Sequence, residues 1–408
     1  MPAKDKIVYS TEVDISIDNG PGINEREFIN ALLEKYSDQI TCIIPYPKYP
    51  NEYFNSKIDY IFRHQFSPFR YPIYLAALLI KILKVNRNHN IRALVFRMGA
   101  IPLVPWVLAR TVDKPVFLKT LAGYYLFEKE PRKFVHRIVA SISFPIYKFV
   151  IQKAQAADTV SNAYTEWLHY KFGINKEKLA LIRNGVNTRL FFPQDKHSSR
   201  QKIGLDRFEK VIGYVGALDA LRHVEDLIYS MRNIDNLRKT CLVLVGAGPD
   251  RNRLQNLVSS IGLERNVIFK GFVSYKDVPT YITAFDVAVD LSLIPMQVAE
   301  KTIPASYSQK IPQYLSCGVP VIAWDTVDTR FLKQRKIGEV VPHGETEKLS
   351  KAINKCLHES LREKVQITQR CREYALEHFS VEVLTEKRMR LWQKALDTDK
   401  LRLKNDLS

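Results

Sequence analysis

Short apolar runs alternate along this chain with longer stretches in which hydrophobic residues recur every three or four positions. Residues 6–9 read as a strand, a glycine-containing loop follows, 24–36 carry a helical pattern, and 40–45 return to a strand. Strand, loop, helix, strand predicts a parallel sheet, because parallel neighbours need a crossover connection. Further strands are predicted at 93–96, 115–119 and 159–161, the last after a helix over 138–154. At 184–193 the sequence NGVNTRLFFP leads into the polar QDKHSSRQKIGLDRFEK, which has no hydrophobic period, and an interdomain linker is placed there. A second alternation follows, with strands at 211–215, 240–245, 267–270, 287–291 and 319–324 and helices at 224–231, 251–261, 278–284 and 310–317. The fold class is therefore α/β, two Rossmann-like domains in tandem. A final helix over 381–396, carrying Leu384, Met389, Leu391 and Trp392, is expected to pack back on the first domain. The domains are set at 1–193 with the C-terminal helix of about 378–398, and at 194–377, leaving a polar tail at 399–408.

Length supports this division, since 408 residues exceed what one hydrophobic core usually organises. Charge adds a second feature. The chain carries a net +18, and between residues 60 and 112 there is no Asp or Glu, while Arg63, Arg70, Lys81, Lys84, Arg87, Arg92, Arg97 and Arg110 lie inside it. Such a field attracts something anionic. Nucleic acid is disfavoured as the partner, because no helix-turn-helix, zinc or aromatic RNP pattern is present. An anionic membrane surface or a lipid-linked acceptor suits the bias, as does a merely solvated basic face. Lys129, Arg132, Lys133 and Arg137 continue it.

No apolar run reaches the roughly 18 residues of a membrane span; residues 71–83 are broken by Lys81, and 138–151 by Pro145 and Lys148. The start, MPAKDKIVYS, lacks the pattern of a signal peptide. Five scattered cysteines without a Cys-x-x-Cys pair fit a reducing compartment, so a cytoplasmic location is expected, at the inner membrane face if the basic domain docks there. No metal site is expected: the nine histidines are dispersed, and Asp286 and Asp290 stand four apart with apolar residues between them.

The glycines carry the clearest chemical signal. Gly213 and Gly216 flank a strand-to-loop transition opening toward a helix, where a missing side chain lets a phosphate approach backbone N–H groups; a plain turn is the competing reading. Gly246 and Gly248 in VGAGPDRNRL form a similar strand, turn and helix, but lack the spacing of a dinucleotide or P-loop motif. Gly20 and Gly22 precede the first predicted helix and are equally compatible with a simple turn.

The segments GYVGALDALRHVEDLI, CLVLVGAGPDRNRLQNLVSSIGL, NVIFKGFVSYKDVPTYITAFDVAV and YSQKIPQYLSCGVPVIAWD, in that order, resemble the C-terminal half of family 4 retaining glycosyltransferases, the glycosyl transferases group 1. AADTVSNAYTEWL and NGVNTRLFFP resemble the end of that family's first domain. The resemblance implies a GT-B fold, two Rossmann-like domains facing across a cleft. It also implies transfer of a sugar, with retention, from a nucleoside diphosphate to a glycan or lipid-linked acceptor, without metal or other cofactor, in polysaccharide or glycoconjugate synthesis. A non-catalytic nucleotide-sugar-binding or scaffolding subunit is the alternative.

It further implies residue roles. Arg222 occupies a position where the family has Lys or Arg before a glycine, here His223, and neutralises donor phosphate; a guanidinium suits that anion. Gly22, Gly216, Gly246 and Gly248 are assigned to phosphate and nucleotide loops, and Gly271, Phe272 and Val273 to the base. Residues 308–318 resemble the Ser-x-Lys-x-x-Glu-Tyr-x-x-x-Gly helix, with Lys310, Tyr314 and Gly318 matching. Gln313 replaces the ribose-binding glutamate and Ala305 a second glutamate upstream, whose role falls to Glu300 or is lost. Lys119 or Thr120 stands near a missing histidine on the acceptor side.

Overall fold

The computed structural model describes residues 5–62, 70–98, 103–120, 134–298, 301–305 and 308–405. The chain divides into two units, Met1–Asn184 with Gln297–Lys301 and Val381–Ser408, and Gly185–Met296 with Thr302–Ser380. Both are parallel α/β sheets, as the alternation required.

The first unit holds β1 (Asp5–Ser10), β2 (Ile40–Pro45), β3 (Ile58–Ile61), β4 (Asn90–Arg97), β5 (Val116–Lys119), β6 (Ala156–Thr159) and β7 (Leu179–Leu181). Their order is β3-β2-β1-β4-β5-β6-β7, so the direction of winding reverses between β1 and β4. Side chains just beyond the strand ends at such a reversal face an open crevice. The first helix begins at Gly20, four residues before the predicted start, because Asn19 caps it by accepting the Gly22 N–H at 2.8 Å. A Cβ on Gly22 would lie 2.2 Å from the Ile17 carbonyl oxygen, so the tight entry itself demands glycine. The C-terminal helix, Val381–Asn405, does pack back on this unit and continues through most of the segment expected as a tail. Met389, Trp392 and Leu396 join the core, with Trp392 edge-on to Phe28 at 6.5 Å.

The second unit holds β8 (Lys210–Val215), β9 (Thr240–Val245), β10 (Val267–Gly271), β11 (Val287–Asp290), β12 (Ile294–Val298), β13 (Lys301–Ala305), β14 (Val321–Trp324) and β15 (Gly338–Val341). Six form one sheet, β10-β9-β8-β11-β14-β15, and β12 and β13 pair separately. The strands are buried on both faces: Val211 and Val243 belong to one core cluster, Ile212 and Leu242 to another. That is why they read as continuous apolar runs. Residues 194–210, polar and without a hydrophobic period, contain the helix Lys196–Lys202. Asp195 caps it, and Arg200 pins it to Asp286 at 2.6 Å.

Candidate functional site

In the second unit the winding reverses between β8 and β11, and the polar residues of interest gather at the C-terminal ends of these strands. Asp290 closes β11 and is 1 % exposed. Its Oδ1 accepts hydrogen bonds from Ser292 Oγ at 2.5 Å and from Lys310 Nζ at 3.1 Å. Lys310, first residue of the helix Lys310–Ser316, also donates to Ser292 Oγ at 2.9 Å, and its ammonium lies 4.8 Å from the Tyr214 ring centroid. The lysine is thus held on three sides with 12 % of its side chain open.

Burial pulls the Lys310 ammonium down to about 8, assisted by the charge of Arg222 and opposed by Asp290. Burial pushes the Asp290 carboxyl up, but Lys310 and the Ser292 hydroxyl outweigh it and hold the group below the usual range. The pair is therefore ionic at neutral pH.

Gly216 follows β8 with φ of 151°, and a Cβ there would fall 2.6 Å from Lys310 Cε. Glycine is needed at this position because the lysine stem lies against the backbone. Gly246 has φ of 138°, and its Cβ would overlap the Gly216 carbonyl at 1.9 Å; a Cβ on Gly248 would come within 2.1 Å of the Leu218 carbonyl. The loops after β8 and β9 thus lie backbone on backbone, joined by Gly216 N–H to Val245 O at 2.8 Å and Leu218 N–H to Ala247 O at 3.0 Å. Gly271 extends the stack, its carbonyl accepting the Gly246 N–H at 2.7 Å.

Arg222 ends a short turn, Ala220–Arg222, which Asp219 caps by accepting the Leu221 N–H at 3.0 Å. Its Nε is buried without a hydrogen-bond partner among the described residues, and Asp219 Oδ1 is 3.6 Å away. A buried guanidinium N–H without a hydrogen bond is costly, and an anionic ligand would complement it. His223 follows in the left-handed region at φ 49°, a conformation that a glycine adopts without strain. Its ring meets His343 edge-on at 4.9 Å. Burial, then His343, lowers its pKa.

The structure thus brings together Gly216, Gly246, Gly248, Gly271, Arg222 and Lys310. Phe272 is 67 % exposed beside Gly271, and Val273 packs partly into the core. Gln313 lies one turn after Lys310, half-buried. Ala305 is fully buried at the end of β13, and Glu300 lies outside the described residues. Asp290, Ser292 and Tyr214 were not selected from sequence as site residues, although an aspartate closing the apolar run VAVD is a signal that a buried partner exists.

In the first unit, Lys119 and Thr120 are internal. Lys119 is 2 % exposed; its Nζ meets Glu25 Oε1 at 2.5 Å and lies 4.2 Å from the Phe28 ring centroid. Tyr9 also donates to Glu25, and Arg97 Nε approaches it at 3.2 Å. Thr120 donates its N–H and its hydroxyl to Asp158, which pairs with Arg388 of the C-terminal helix at 2.6 Å.

Residues 195–378 match the family model described as glycosyl transferases group 1. The N-acetyl-alpha-D-glucosaminyl L-malate synthase of Bacillus anthracis is 24% identical over 300 residues, covering 73% of this chain and 70% of that protein. The alpha-D-kanosaminyltransferase of Streptomyces kanamyceticus is 22% identical over 276 residues, covering 65% and 68%. Among solved structures, Anabaena HepE in complex with UDP aligns with a TM-score of 0.72 at 17% identity, covering 95% of this chain and 100% of that one. Sucrose-phosphate synthase from Thermosynechococcus elongatus aligns with a TM-score of 0.72 at 18% identity, covering 96% and 100%. At these identities the two structures show a shared fold, the GT-B pair of parallel α/β domains.

Proposed function

We propose that this chain, whose residues 195–378 match the glycosyl transferases group 1, is a glycosyltransferase acting on nucleotide sugars and that the β8–β11 crevice binds the donor diphosphate. In this reading Arg222 and Lys310 grip the phosphates, and transfer to a glycan or lipid-linked acceptor retains the anomeric configuration. One observation carries it: two cations converge beside a glycine-lined backbone turn, one of them with a buried, unpartnered N–H. Breaking the anomeric C–O bond leaves charge on the nucleoside diphosphate, and preorganised positive groups lower the energy of that state. The acceptor hydroxyl attacks from the face the diphosphate leaves, and the departing diphosphate takes its proton. Arg222 and Lys310 supply the positive charge in place of a metal, so added chelator leaves turnover unchanged.

Gly271, Phe272 and Val273 line the base side, Gln313 accepts from the ribose, and Gly22 belongs to a donor-phosphate loop. Lys119 and Thr120 shape the acceptor side from within rather than touching ligand. HepE, solved with UDP and with UDP-glucose, makes a uridine nucleotide the first donor to try. Five buried free thiols favour the reducing cytoplasm, and the basic first unit favours work at an anionic membrane surface, in polysaccharide or glycoconjugate synthesis.

A thermal-shift screen of UDP-, GDP-, ADP- and CDP-linked sugars tests the donor site. At least one is expected to raise the parent's melting temperature, with the increment lost in Arg222→Ala and Lys310→Ala. Equal increments in those variants would sink the assignment. Ala305 and Gln313, uncharged where the family carries glutamates, favour the second reading of a nucleotide-sugar-binding scaffold. Saturable nucleotide binding with neither donor hydrolysis nor transfer is the result that selects it.

A further inference from the structure

Winding in the first unit reverses at β1, and this sorts its helices. The connections β3 to β4, β4 to β5, β5 to β6 and β6 to β7 all advance along the sheet in one direction. Right-handed crossovers then place their helices, Arg70–Asn88, Leu103–Val112, Phe134–Lys153 and Asn162–Phe172, on one face of the sheet, the first three forming a layer of their own chemistry. Gly20–Tyr36 runs the other way and packs with Val381–Asn405 on the opposite face. Neighbouring members of the three-helix layer are in contact.

None of the first three helices contains an Asp or Glu, and the fourth carries one, Glu166, paired with Lys176 at 2.7 Å. Asp59, paired with Lys81 at 3.0 Å, and the exposed Asp113 flank the layer. Along Arg70–Asn88 the exposed positions Ile73, Ala76, Ile80, Lys84 and Arg87 fall within one arc at 100° per residue. That stripe is apolar in its first half and basic in its second. Ile73 is 59 % exposed and Ile80 66 %. On the next two helices Val107 is 45 % and Phe149 39 % exposed. Trp106 meets Phe149 edge-on at 5.4 Å, while Arg110 and Lys153 lie 5.8 and 5.9 Å from the Trp106 and Phe149 rings.

We propose that this three-helix layer is the face by which the protein docks on an anionic lipid bilayer, with Ile73, Ile80, Val107 and Phe149 entering the interface. The proposal rests on the membrane-surface reading above and gives it a location. Exposed large hydrophobics interleaved with cations and free of carboxylates match an interfacial surface, where apolar burial and attraction to acidic headgroups act together. A soluble polyanion would use the charges and leave the isoleucines without a role. Among the described residues no helix is long and apolar enough to cross a membrane, so such docking is peripheral.

The test is co-sedimentation of the full chain with vesicles of phosphatidylcholine alone and with added phosphatidylglycerol. Binding is expected only to the acidic vesicles. Lys84→Gln with Arg87→Gln should weaken it about thirty-fold, as loss of two cations near a charged surface implies. Ile73→Ser with Ile80→Ser, charge intact, should weaken it at least about ten-fold. Melting temperature and donor-nucleotide binding, measured without vesicles, should match the parent in both variants. Equal binding to neutral and acidic vesicles, or none, overturns the proposal, as does an Ile73→Ser, Ile80→Ser variant that binds like the parent. Failure here with donor binding intact removes only the docking face, whereas loss of donor binding in the parent removes the transferase reading.

Discussion

Asp290→Asn tests the physics of the candidate site. The substitution keeps an oxygen for the Ser292 hydroxyl, which donates to Asp290 at 2.5 Å, but leaves the Lys310 ammonium without a counter-charge. Breaking a buried pair by removing one partner costs about 3–5 kcal/mol. The lysine has an escape, since it can shed its proton. Starting from an unfolded-state value near 10.4, deprotonation at pH 7 costs about 4.6 kcal/mol, and at pH 9 only about 1.9. That sets a falling ceiling on the penalty. The sign follows from linkage: the folded value, about 8 in the parent, lies below the unfolded one. The unfolded chain therefore binds more protons between the two values, and this group's contribution to stability rises with pH across that window. In Asp290→Asn the window opens lower, so the gap to the parent narrows as pH rises. For a unit of this size, 3–5 kcal/mol corresponds to roughly 6–20 °C in melting temperature. Asp290→Asn should show that drop at pH 7 and no more than about 4–8 °C at pH 9. Asp290→Asn with Lys310→Met, which removes both charges, should recover most of it at either pH. A single variant melting within 2 °C of the parent at pH 7 (roughly 1 kcal/mol or less), or drops of equal size at both pH values, refutes the reasoning.

Other outcomes follow from the same geometry. Donor affinity, measured by titration calorimetry, should weaken as pH rises through about 8, where Lys310 loses its proton, and Lys310→Arg should abolish that alkaline limb. An alkaline limb unchanged in Lys310→Arg would assign it to another group. Gly246→Ala, whose Cβ would meet backbone at 1.9 Å, should cost more than 3 kcal/mol, whereas Gly173→Ala, with nothing within 4 Å, should cost only the roughly 1–2 kcal/mol of its left-handed backbone. Denaturant melts compare the two directly. Arg388→Met strands the buried Asp158 carboxylate and should destabilise by about 3–5 kcal/mol, with nucleotide affinity unaltered when measured below the melting range.

The parallel sheets were legible because doubly covered strands are uniformly apolar and their crossover helices are not. The pairing of β12 with β13 was not, since LSLIPMQVAEKTIPAS carries no Asn-Gly or Asp-Gly signal. Lys310 and Arg222 were reached through the family pattern, and the glycines through their position at strand ends. The reason for Gly246 and Gly248 was missed: they admit neighbouring backbone, the carbonyls of Gly216 and Leu218. Pairings such as Lys119 with Glu25 and Arg388 with Asp158 join residues 94 and 230 positions apart. Hydrophobic periodicity reports only local faces and carries no information on which distant charges meet.

The two units each carry a lysine–carboxylate pair at the C-terminal edge of a parallel sheet, yet differ in what the lysine has left to offer. Lys119 also falls to about 8 through burial, but it is enclosed by Glu25 and the Phe28 ring with Arg97 on the same carboxylate, and only 2 % of it is open. Its charge is consumed in holding the first helix to the sheet. Lys310 keeps 12 % of its side chain open, shares its surroundings with Arg222, and lies against Gly216, where no side chain intervenes. A dianion added beside Lys119 would have to displace Glu25, whereas beside Lys310 it meets the Arg222 guanidinium, whose Nε makes no hydrogen bond and whose ion-pair partner Asp219 stands 3.6 Å away. Equal chemistry in equivalent places therefore yields a structural clamp in one unit and the proposed donor site in the other, and exposure, not residue type, separates them.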